Sequence, residues 1–295
     1  MFDSGILQKH AEKNGIKIEV TKFNDYVESI NQYCAGEYDC VSITNMDALA
    51  FPGAQGVDST FLLPTDFSNG NDAIVTKGSQ SVSELDGQTV NLVELSVSHY
   101  MLARALEKNN IDQTKVKVVH SSDAQIGSLF EASDKINVVT WNPIVNAIKK
   151  NPNANVIFDS SMIPGEIIDT LLVKTESNKA FKKALAGAWY ETMEHMQSKP
   201  EAMEIMAESA GGSLEDFKAQ LKTTEMFYTK EAAAKFIDSK DVETTMNSVR
   251  NFAFDKGLYG EGADSVDFIG IEFADGTIIG DKNNVKIRFT SEFLK

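Results

Sequence analysis

The stretch that decides the fold is NLVELSVSHYMLARAL, residues 91–106. An apolar run ending at Val93 is followed by a polar cluster and then by apolar residues at helical spacing. This order predicts a strand, a loop and a helix, with Ser96 or Ser98 as the N-cap that accepts a first-turn N–H. Open α/β sheets bind small ligands at such junctions, beyond the carboxyl ends of their strands. Glu94 in the same loop favours a cation over an anion.

Composition and charge limit the classes of protein that come into question. The chain has 295 residues, of which 42% are hydrophobic, so about two domains with a sizeable core are expected. A net charge of −15 argues against nucleic-acid binding, which needs clustered Lys and Arg. No apolar run approaches the roughly 20 residues of a membrane span. The first residues also lack the pattern of a secretion signal.

Strand and helix patterns alternate through the first 174 residues, which predicts βαβ units and a largely parallel sheet. Strands are predicted at 17–22, 40–43, 60–63, 73–76, 89–93, 116–120, 137–140, 155–158 and 167–174. From Asn178 the pattern becomes mostly helical. In the tail, Asp275-Gly276 lies between two short apolar runs and predicts a hairpin.

The segment 73–169 is a second alternating set, which we interpret as an α/β lobe inserted into the first. The first lobe is then discontinuous and consists of 1–72 and 170–295. Two lobes joined by two hinge crossovers form a cleft, and such clefts commonly bind a ligand.

The two cysteines, Cys34 and Cys40, are predicted to end a helix and to begin a strand. Their spacing matches no common zinc motif and no His lies nearby, so no metal site is expected. A local disulfide and two small buried thiols are both compatible with this pattern.

The common enzyme motifs, GxSxG, HExxH, Walker A and GxGxxG, are absent from the sequence, and no cofactor is expected. His99, next to Ser96 and Ser98, is the only candidate for activating a nucleophile. A histidine at a helix start more often makes a structural hydrogen bond, so no catalytic residue is predicted.

Polar residues that follow the predicted strands supply the candidate ligand contacts. Asp72 and Asp169 each interrupt an apolar run, so each is expected either to hydrogen-bond the hinge or to contact ligand. Asp47 is expected to cap a helix. The predicted ligand-binding residues are Asn45, Asp72, Glu94, Ser96, His99, Trp141 and Asp169.

The acids of this set, together with Glu166, have no obvious Lys or Arg in the same loops. Carboxylates accept N–H bonds, and the indole face of Trp141 attracts cations. The set therefore favours a small nitrogen-rich cation.

Five motifs resemble a known family: AGEYDCVSITNMDAL (35–49), SNGNDAIV (68–75), LDGQTVNLVELSVSHYMLARAL (85–106), VVTWNP (138–143) and PGEIIDTLLV (164–173). They are similar to substrate-binding proteins of ABC importers in the nitrate, sulfonate, taurine and thiamine-precursor group. The likeness is closest to the subset associated with urea-carboxylase gene clusters. The resemblance implies a two-lobed type II periplasmic-binding-protein fold. It also implies a first strand and an aromatic loop that this sequence lacks.

The resemblance also implies a function. A monomer, periplasmic or lipid-anchored outside the cytoplasm, is expected to capture a guanidine- or urea-like solute and deliver it to a membrane permease. In that compartment a Cys34–Cys40 disulfide is favoured. Nitrate, taurine or another sulfonate and a thiamine-precursor pyrimidine are the alternative solutes. An enzyme using His99 on the same fold and a ligand-sensing domain are the alternatives of other classes.

Overall fold

The computed structural model describes residues 1, 4–210 and 212–295, which form α-helices and two mixed β-sheets. The strands are β1 Cys40–Thr44, β2 Ser59–Ser68, β3 Asp72–Lys77, β4 Thr89–Leu92, β5 Lys117–His120, β6 Ile136–Trp141, β7 Asn155–Asp159, β8 Ile168–Lys174, β9 Thr224–Met226, β10 Gly270–Glu272, β11 Ile278–Ile279 and β12 Val285–Phe289. The helices are α1 Ile6–Lys13, α2 Tyr26–Cys34, α3 Asn45–Ala48, α4 Val97–Lys108, α5 Asp123–Ala132, α6 Ile144–Ile148, α7 Lys179–Ser198, α8 Pro200–Ser209, α9 Leu214–Leu221, α10 Lys230–Ile237 and α11 Lys240–Asp255. The α/β class is as predicted.

The chain divides into two compact units. Unit 1 consists of Met1–Asp66, Ile168–Phe217 and Met226–Lys295, and unit 2 consists of Phe67–Ile167 and Lys218–Glu225. The passages between lobes predicted from the sequence lie at 72/73 and 169/170, and the short segment 218–225 was not predicted to belong to unit 2. Long-range hydrogen bonds explain its place in unit 2. The Asn69 N–H donates to the Thr223 carbonyl at 3.0 Å, and Asn142 Nδ2 donates to Thr223 Oγ1 at 3.2 Å.

The sheet of unit 1 has the strand order β1-β8-β2-β12-β10-β11. β12 runs parallel to β2 and β10, whereas β1 and β8 are antiparallel. β10 and β11 form the predicted hairpin. The prediction of a largely parallel sheet is therefore wrong. Local hydrophobic pattern does not encode the direction of β8, which reaches this sheet only after the whole of 67–167.

The sheet of unit 2 has the order β5-β4-β6-β3-β7 and is buried on both faces. β4 is parallel to β5 and β6, and β3 is antiparallel to β6 and β7. Alternate residues of the strands serve two cores: Ile74 packs in the core with α4, and Val75 in the core with α5 and α6. The carboxyl ends of β4, β5 and β6 consequently lie along one edge of the sheet, with the beginning of β3.

Residues 17–22, predicted as a strand, are irregular. Val20 is 44% exposed and Ile18 is only half-buried, so the alternating pattern does not correspond to a buried face. A strand gains its stability from a paired neighbour and a covered face, and the sequence pattern alone indicates neither.

The cysteines lie where the sequence predicts, since α2 ends at Cys34 and β1 begins at Cys40. Both are free thiols in the structure. Burial raises the pKa of Cys34 to about 11 and, together with the Asp39 carboxylate, that of Cys40 to about 12. The thiolates that react with oxidants are therefore scarce at neutral pH.

Candidate functional site

The junction of β4 and α4 in unit 2 is built as the sequence predicts, with Ser96 as the N-cap of α4. Its Oγ accepts the Ser98 N–H at 3.2 Å and donates to the Val93 carbonyl at 2.7 Å. Ser96 is 1% exposed. Its hydroxyl thus fixes the end of the strand to the first turn of the helix.

Two histidines hold the loop between β4 and α4. His99 Nδ1 accepts the Leu95 N–H at 3.2 Å, and His120 Nδ1 accepts the Glu94 N–H at 3.2 Å. Each neutral ring must then carry its proton on Nε2. Leu95 has a φ of 63°, in the left-handed region that few non-glycine residues adopt. The imidazoles therefore stabilise a strained loop, and the Glu94 side chain is exposed.

Two hydroxyls at this edge of unit 2 are buried and have no hydrogen-bond partner among the described residues. They are Ser98 Oγ, in the first turn of α4, and Thr140 Oγ1, near the end of β6. An unsatisfied buried hydroxyl costs about 1–3 kcal/mol, and a polar ligand group or a water would recover that cost.

Asp72 and Trp141 are cross-strand partners on β3 and β6. Trp141 is half-buried, whereas Asp72 is 4% exposed and accepts Ser68 Oγ at 2.5 Å. Ser68 Oγ lies 2.7 Å from Ser160 Oγ, which also accepts the Gly70 N–H at 2.7 Å. Asp72 is thus part of a buried network that ties the start of β3 to the loop after β7.

The loop of Glu166 contains no obvious Lys or Arg, as the sequence indicates, but a basic partner comes from another element. Arg104 on α4 donates from Nε to Glu166 Oε2 at 2.7 Å and from Nη2 to Oε1 at 2.8 Å. Tyr100 Oη donates to the same carboxylate at 2.6 Å. The partner was missed because it lies 62 residues away in the sequence. Glu166 is therefore neutralised within unit 2.

Replacing Arg104 with Met is expected to destabilise the protein by about 2 kcal/mol, because Glu166, with 16% of its side chain exposed, loses a paired guanidinium. Urea unfolding measures the change, and Lys108→Met, an exposed cation on the same helix, is the control. Adding Glu166→Gln to Arg104→Met should recover part of the loss. Equal stability of the Arg104→Met and Lys108→Met variants would contradict the account.

In unit 1, the side chains of Asn45 and Asp47 stabilise the end of β1, and neither of them is the N-cap of a helix. Asn45 Oδ1 accepts the Ile168 N–H at 3.0 Å and is fully buried. The N-cap of α3 is Thr44, not Asp47 as expected, because Thr44 Oγ1 accepts the Asp47 N–H. The Asp47 carboxylate instead accepts Tyr26 Oη at 2.8 Å and Thr44 Oγ1 at 3.0 Å.

The most distinctive electrostatic feature of unit 1 is a pair of carboxyls, Asp66 on β2 and Asp169 on β8. The strands are neighbours in the sheet, and the two side chains are hydrogen-bonded to each other. Burial raises the pKa of Asp66 to about 6, although the hydrogen bonds with Thr65 and Asp169 act to lower it. One proton shared between two carboxyls is the usual result of such proximity. We call Asp66 and Asp169 the acidic pair.

Tyr26 adds to the acidic character of this region. Burial, followed by the charge of Asp47, raises the pKa of Tyr26 well above its ordinary value, and Asp169 acts in the same direction. The phenol therefore stays protonated and donates to Asp47. Asp47 therefore accepts hydrogen bonds from two hydroxyls. The acidic pair lies at a different place, where β2 ends and β8 begins.

The structure distributes the predicted residues over both units. Asn45 and Asp169 belong to unit 1; Asp72, Glu94, Ser96, His99 and Trp141 belong to unit 2. Asp66 is not among the predicted residues, because the predicted strand ended at Leu63, before Pro64. The one signal was an acid inside the stretch LLPTDFS, which β2 continues through. Whether these residues bind one ligand remains a prediction.

The described residues contain neither a candidate membrane span nor a candidate metal cluster. None of the helices there is both long and apolar enough to cross a membrane. No cluster of three or more His, Cys, Asp or Glu side chains suited to a metal ion was found in 1, 4–210 and 212–295.

Comparison with known proteins identifies the family. Residues 8–197 match the NMT1/THI5-like family, and the chain belongs to it. Over 156 residues it is 26% identical to the taurine-binding periplasmic protein of Escherichia coli K12. That match covers 52% of this chain and 47% of the relative, so it spans about half the length of the curated protein.

Solved structures of low sequence identity share the fold. The alkanesulfonate-binding protein SsuA of Xanthomonas axonopodis pv. citri, bound to MOPS, has a TM-score of 0.71 at 14% identity, with 88% of this chain and 89% of that chain covered. The periplasmic aliphatic sulphonate-binding protein of E. coli has the same TM-score at 16% identity, with 88% and 90% covered. The chain therefore has the periplasmic-binding-protein fold.

Proposed function

We propose that the protein is the extracytoplasmic solute-binding component of an ABC importer and that its solute is a small nitrogen-rich cation of the guanidine or urea type. The solute is captured by both lobes, as the sequence-predicted cleft requires, and is delivered to a membrane permease by a monomer. Family membership, the fold and the names of the relatives support the binding role. The choice of solute also follows the resemblance of the sequence motifs to the urea-carboxylase-associated subset, which is part of the proposal.

The observation that carries this choice is the acidic pair. A guanidinium ion presents planar N–H donors that match carboxylate oxygens, and its charge takes the place of the proton that the pair binds below about pH 6. Trp141 supplies an aromatic face for the same cation, with an attraction of about 0.5–2 kcal/mol. A bare anion such as nitrate would instead be repelled by Asp66 and Asp169.

Within this proposal the predicted site residues have different roles. Asp66 and Asp169 accept N–H groups of the solute, Trp141 stacks against it, and His99 offers its Nε2–H. Asn45, Ser96 and Asp72 act indirectly, because their side chains already hold β8, α4 and the start of β3. Glu94 contributes a negative charge from the exposed loop.

Taurine is a second candidate, and a separate observation favours it. Taurine carries an ammonium group, which suits the acidic pair, and a sulfonate. The orphan hydroxyl Ser98 Oγ lies in the N-terminal turn of α4, where N–H groups favour an anion. The match to the taurine-binding relative points the same way.

Isothermal titration calorimetry with a matched panel tests both candidates. We expect guanidinium to bind with a dissociation constant of about 10 μM or tighter, urea more weakly, and nitrate and ethanesulfonate not at all. Tetramethylammonium, a cation without N–H donors, is the control and should not bind. Taurine binding without guanidinium binding would select the second candidate. Binding of nitrate or ethanesulfonate alone would contradict the cation proposal.

The enzyme alternative is disfavoured by the geometry of His99. Its Nδ1 is engaged by the Leu95 N–H, so this nitrogen does not serve as the base for a neighbouring hydroxyl. Product formed from a bound solute, and lost in a His99→Ala variant, would nevertheless reverse this conclusion.

A further inference from the structure

Unit 1 contains a cavity of about 430 Å³ at the opposite end of its sheet from the acidic pair. It is lined by Thr60, at the beginning of β2, and by Thr175, just after β8. Asp66 lies six residues further along β2, which corresponds to roughly 20 Å of extended strand. The cavity is therefore distinct from the region proposed to bind the imported solute.

A buried lysine contributes the most unusual group of this cavity. Lys182 on α7 is 9% exposed, and its Nζ donates to the Thr175 carbonyl at 2.7 Å. Lysine is rarely so buried without a charged partner, and its ammonium can donate three hydrogen bonds. Burial lowers the pKa of Lys182, while the more distant carboxylates Glu292 and Asp58 raise it.

The other cations of the cavity wall are already neutralised. Lys179 donates to Glu292. Arg288 donates from Nε and Nη2 to the two oxygens of Asp58, each at 2.9 Å, and from Nη1 to Glu272. Among the described lining residues, Lys182 is thus the cation whose hydrogen-bond partner is a neutral carbonyl.

Two further observations indicate that an anion is needed here. Ser177 Oγ lines the cavity, and in the described part of the chain this buried oxygen has no hydrogen-bond partner. The first turn of α7, a 20-residue helix, contains no acid, although Lys179, Lys182 and Lys183 cluster there. Cations at the positive end of a helix are unfavourable, and a bound anion would offset that cost.

Aromatic residues form part of the remaining wall, which also contains Thr60, Thr290, Ala274 and Gly276. Phe289 and Phe273 are stacked, with ring centroids 5.4 Å apart, and Phe293 also lines the cavity. Phe273 and Phe289 are buried, but Phe293 is half-buried, so an organic anion would cover apolar surface of Phe293 that an inorganic anion leaves in water. The volume lies within the range of small-molecule sites, about 300–1,000 Å³.

We propose that this cavity is a second ligand site, which binds a small organic carboxylate. The carboxylate pairs with Lys182 Nζ and accepts the Ser177 hydroxyl, and its apolar body packs against the half-buried ring of Phe293. The site is independent of solute capture at the acidic pair.

Benzoate is the probe, and its binding is followed by NMR titration and calorimetry on the full chain. We expect a dissociation constant of about 1 mM or tighter, weakened about tenfold or more by Lys182→Met and less by Ser177→Ala. Acetate should bind more weakly than benzoate, because it covers less apolar surface.

Lys183→Met is the matched control, since it removes the same charge from an exposed neighbour on α7. Benzoate affinity in this variant and in Asp66→Asn should stay within about twofold of the unmodified protein. Circular dichroism verifies that each variant is folded. No binding of benzoate up to about 20 mM, or equal binding by the Lys182→Met variant, would overturn the proposal. If the protein does not bind guanidinium in the calorimetry panel, the expected binding of benzoate is unaffected, because the two sites are independent.

Discussion

Replacing Asp169 with Asn lowers the affinity for guanidinium by about 100-fold, and Asp66→Asn has an effect of the same order. Each change removes a negative charge from the acidic pair and turns one acceptor oxygen into an N–H donor that faces the cation. Because the amide has nearly the same shape as the carboxyl, the packing of β2 against β8 is preserved. The expected loss therefore reports on recognition rather than on folding.

Calorimetry with guanidinium measures the effect, and Asp39→Asn provides the matched control. Asp39 is exposed and precedes β1, so its replacement removes the same charge from the same unit but at the opposite end of the strand from Thr44. Its variant should bind within about twofold of the unmodified protein. If Asp66→Asn and Asp169→Asn both bind as tightly as Asp39→Asn, the acidic pair has no part in solute binding.

The elements that the sequence predicts well are those with strong local signals. The N-cap at Ser96, the start of β1 at Cys40 and the hairpin around Asp275 each depend on residues close together in the chain. The prediction of a strand at 17–22 was wrong because alternating apolar residues do not show whether a neighbouring strand pairs with the segment. The prediction of a largely parallel sheet was wrong for the same reason, since the direction of β8 is set by its partner strands and not by its own sequence.

The candidate site could be predicted only in part, because its electrostatics depend on residues distant in sequence. Asp169 is a visible signal, an acid within an apolar strand, but Asp66 comes from a strand about a hundred residues earlier. Arg104 pairs with Glu166 although the two residues are 62 positions apart, so Glu166 is not the unpaired acid that its own loop suggests. Ser98, singled out as a possible cap, instead has a buried hydroxyl without a described partner. No spacing pattern reveals such pairings.

The affinity for guanidinium should fall about 100-fold between about pH 7 and pH 4, with the change beginning near pH 6. Burial raises the pKa of Asp66 to about 6. Below that pH the acidic pair holds a proton, which a cation must displace before it binds both carboxylates. Thr65 and Asp169 are hydrogen-bonded to Asp66, and the charges of Asp169 and Asp47 act on Tyr26. The phenol of Tyr26 stays protonated throughout this range.

The same shift makes a prediction about stability. The native pKa of Asp66 lies above the ordinary value of 3.8, so between these values the native protein binds the proton more strongly than the unfolded chain does. The contribution of Asp66 to the free energy of unfolding is therefore fully present below about pH 4 and is lost as the pH rises through about 6. A bound cation offsets that loss, so guanidinium should raise the melting temperature more at pH 7 than at pH 5.

Calorimetry in two buffers of different ionisation enthalpy separates proton release from the heat of binding. We expect release of about one proton per guanidinium near pH 5 and almost none near pH 8. Asp66→Asn should abolish the release, whereas Asp39→Asn should retain it. His99→Gln removes the imidazole that the proposal places against the solute. If proton release persists in Asp66→Asn and disappears in His99→Gln, the pH dependence of binding arises at the β4–α4 loop. The acidic pair would then have no part in the coupling between proton release and guanidinium binding.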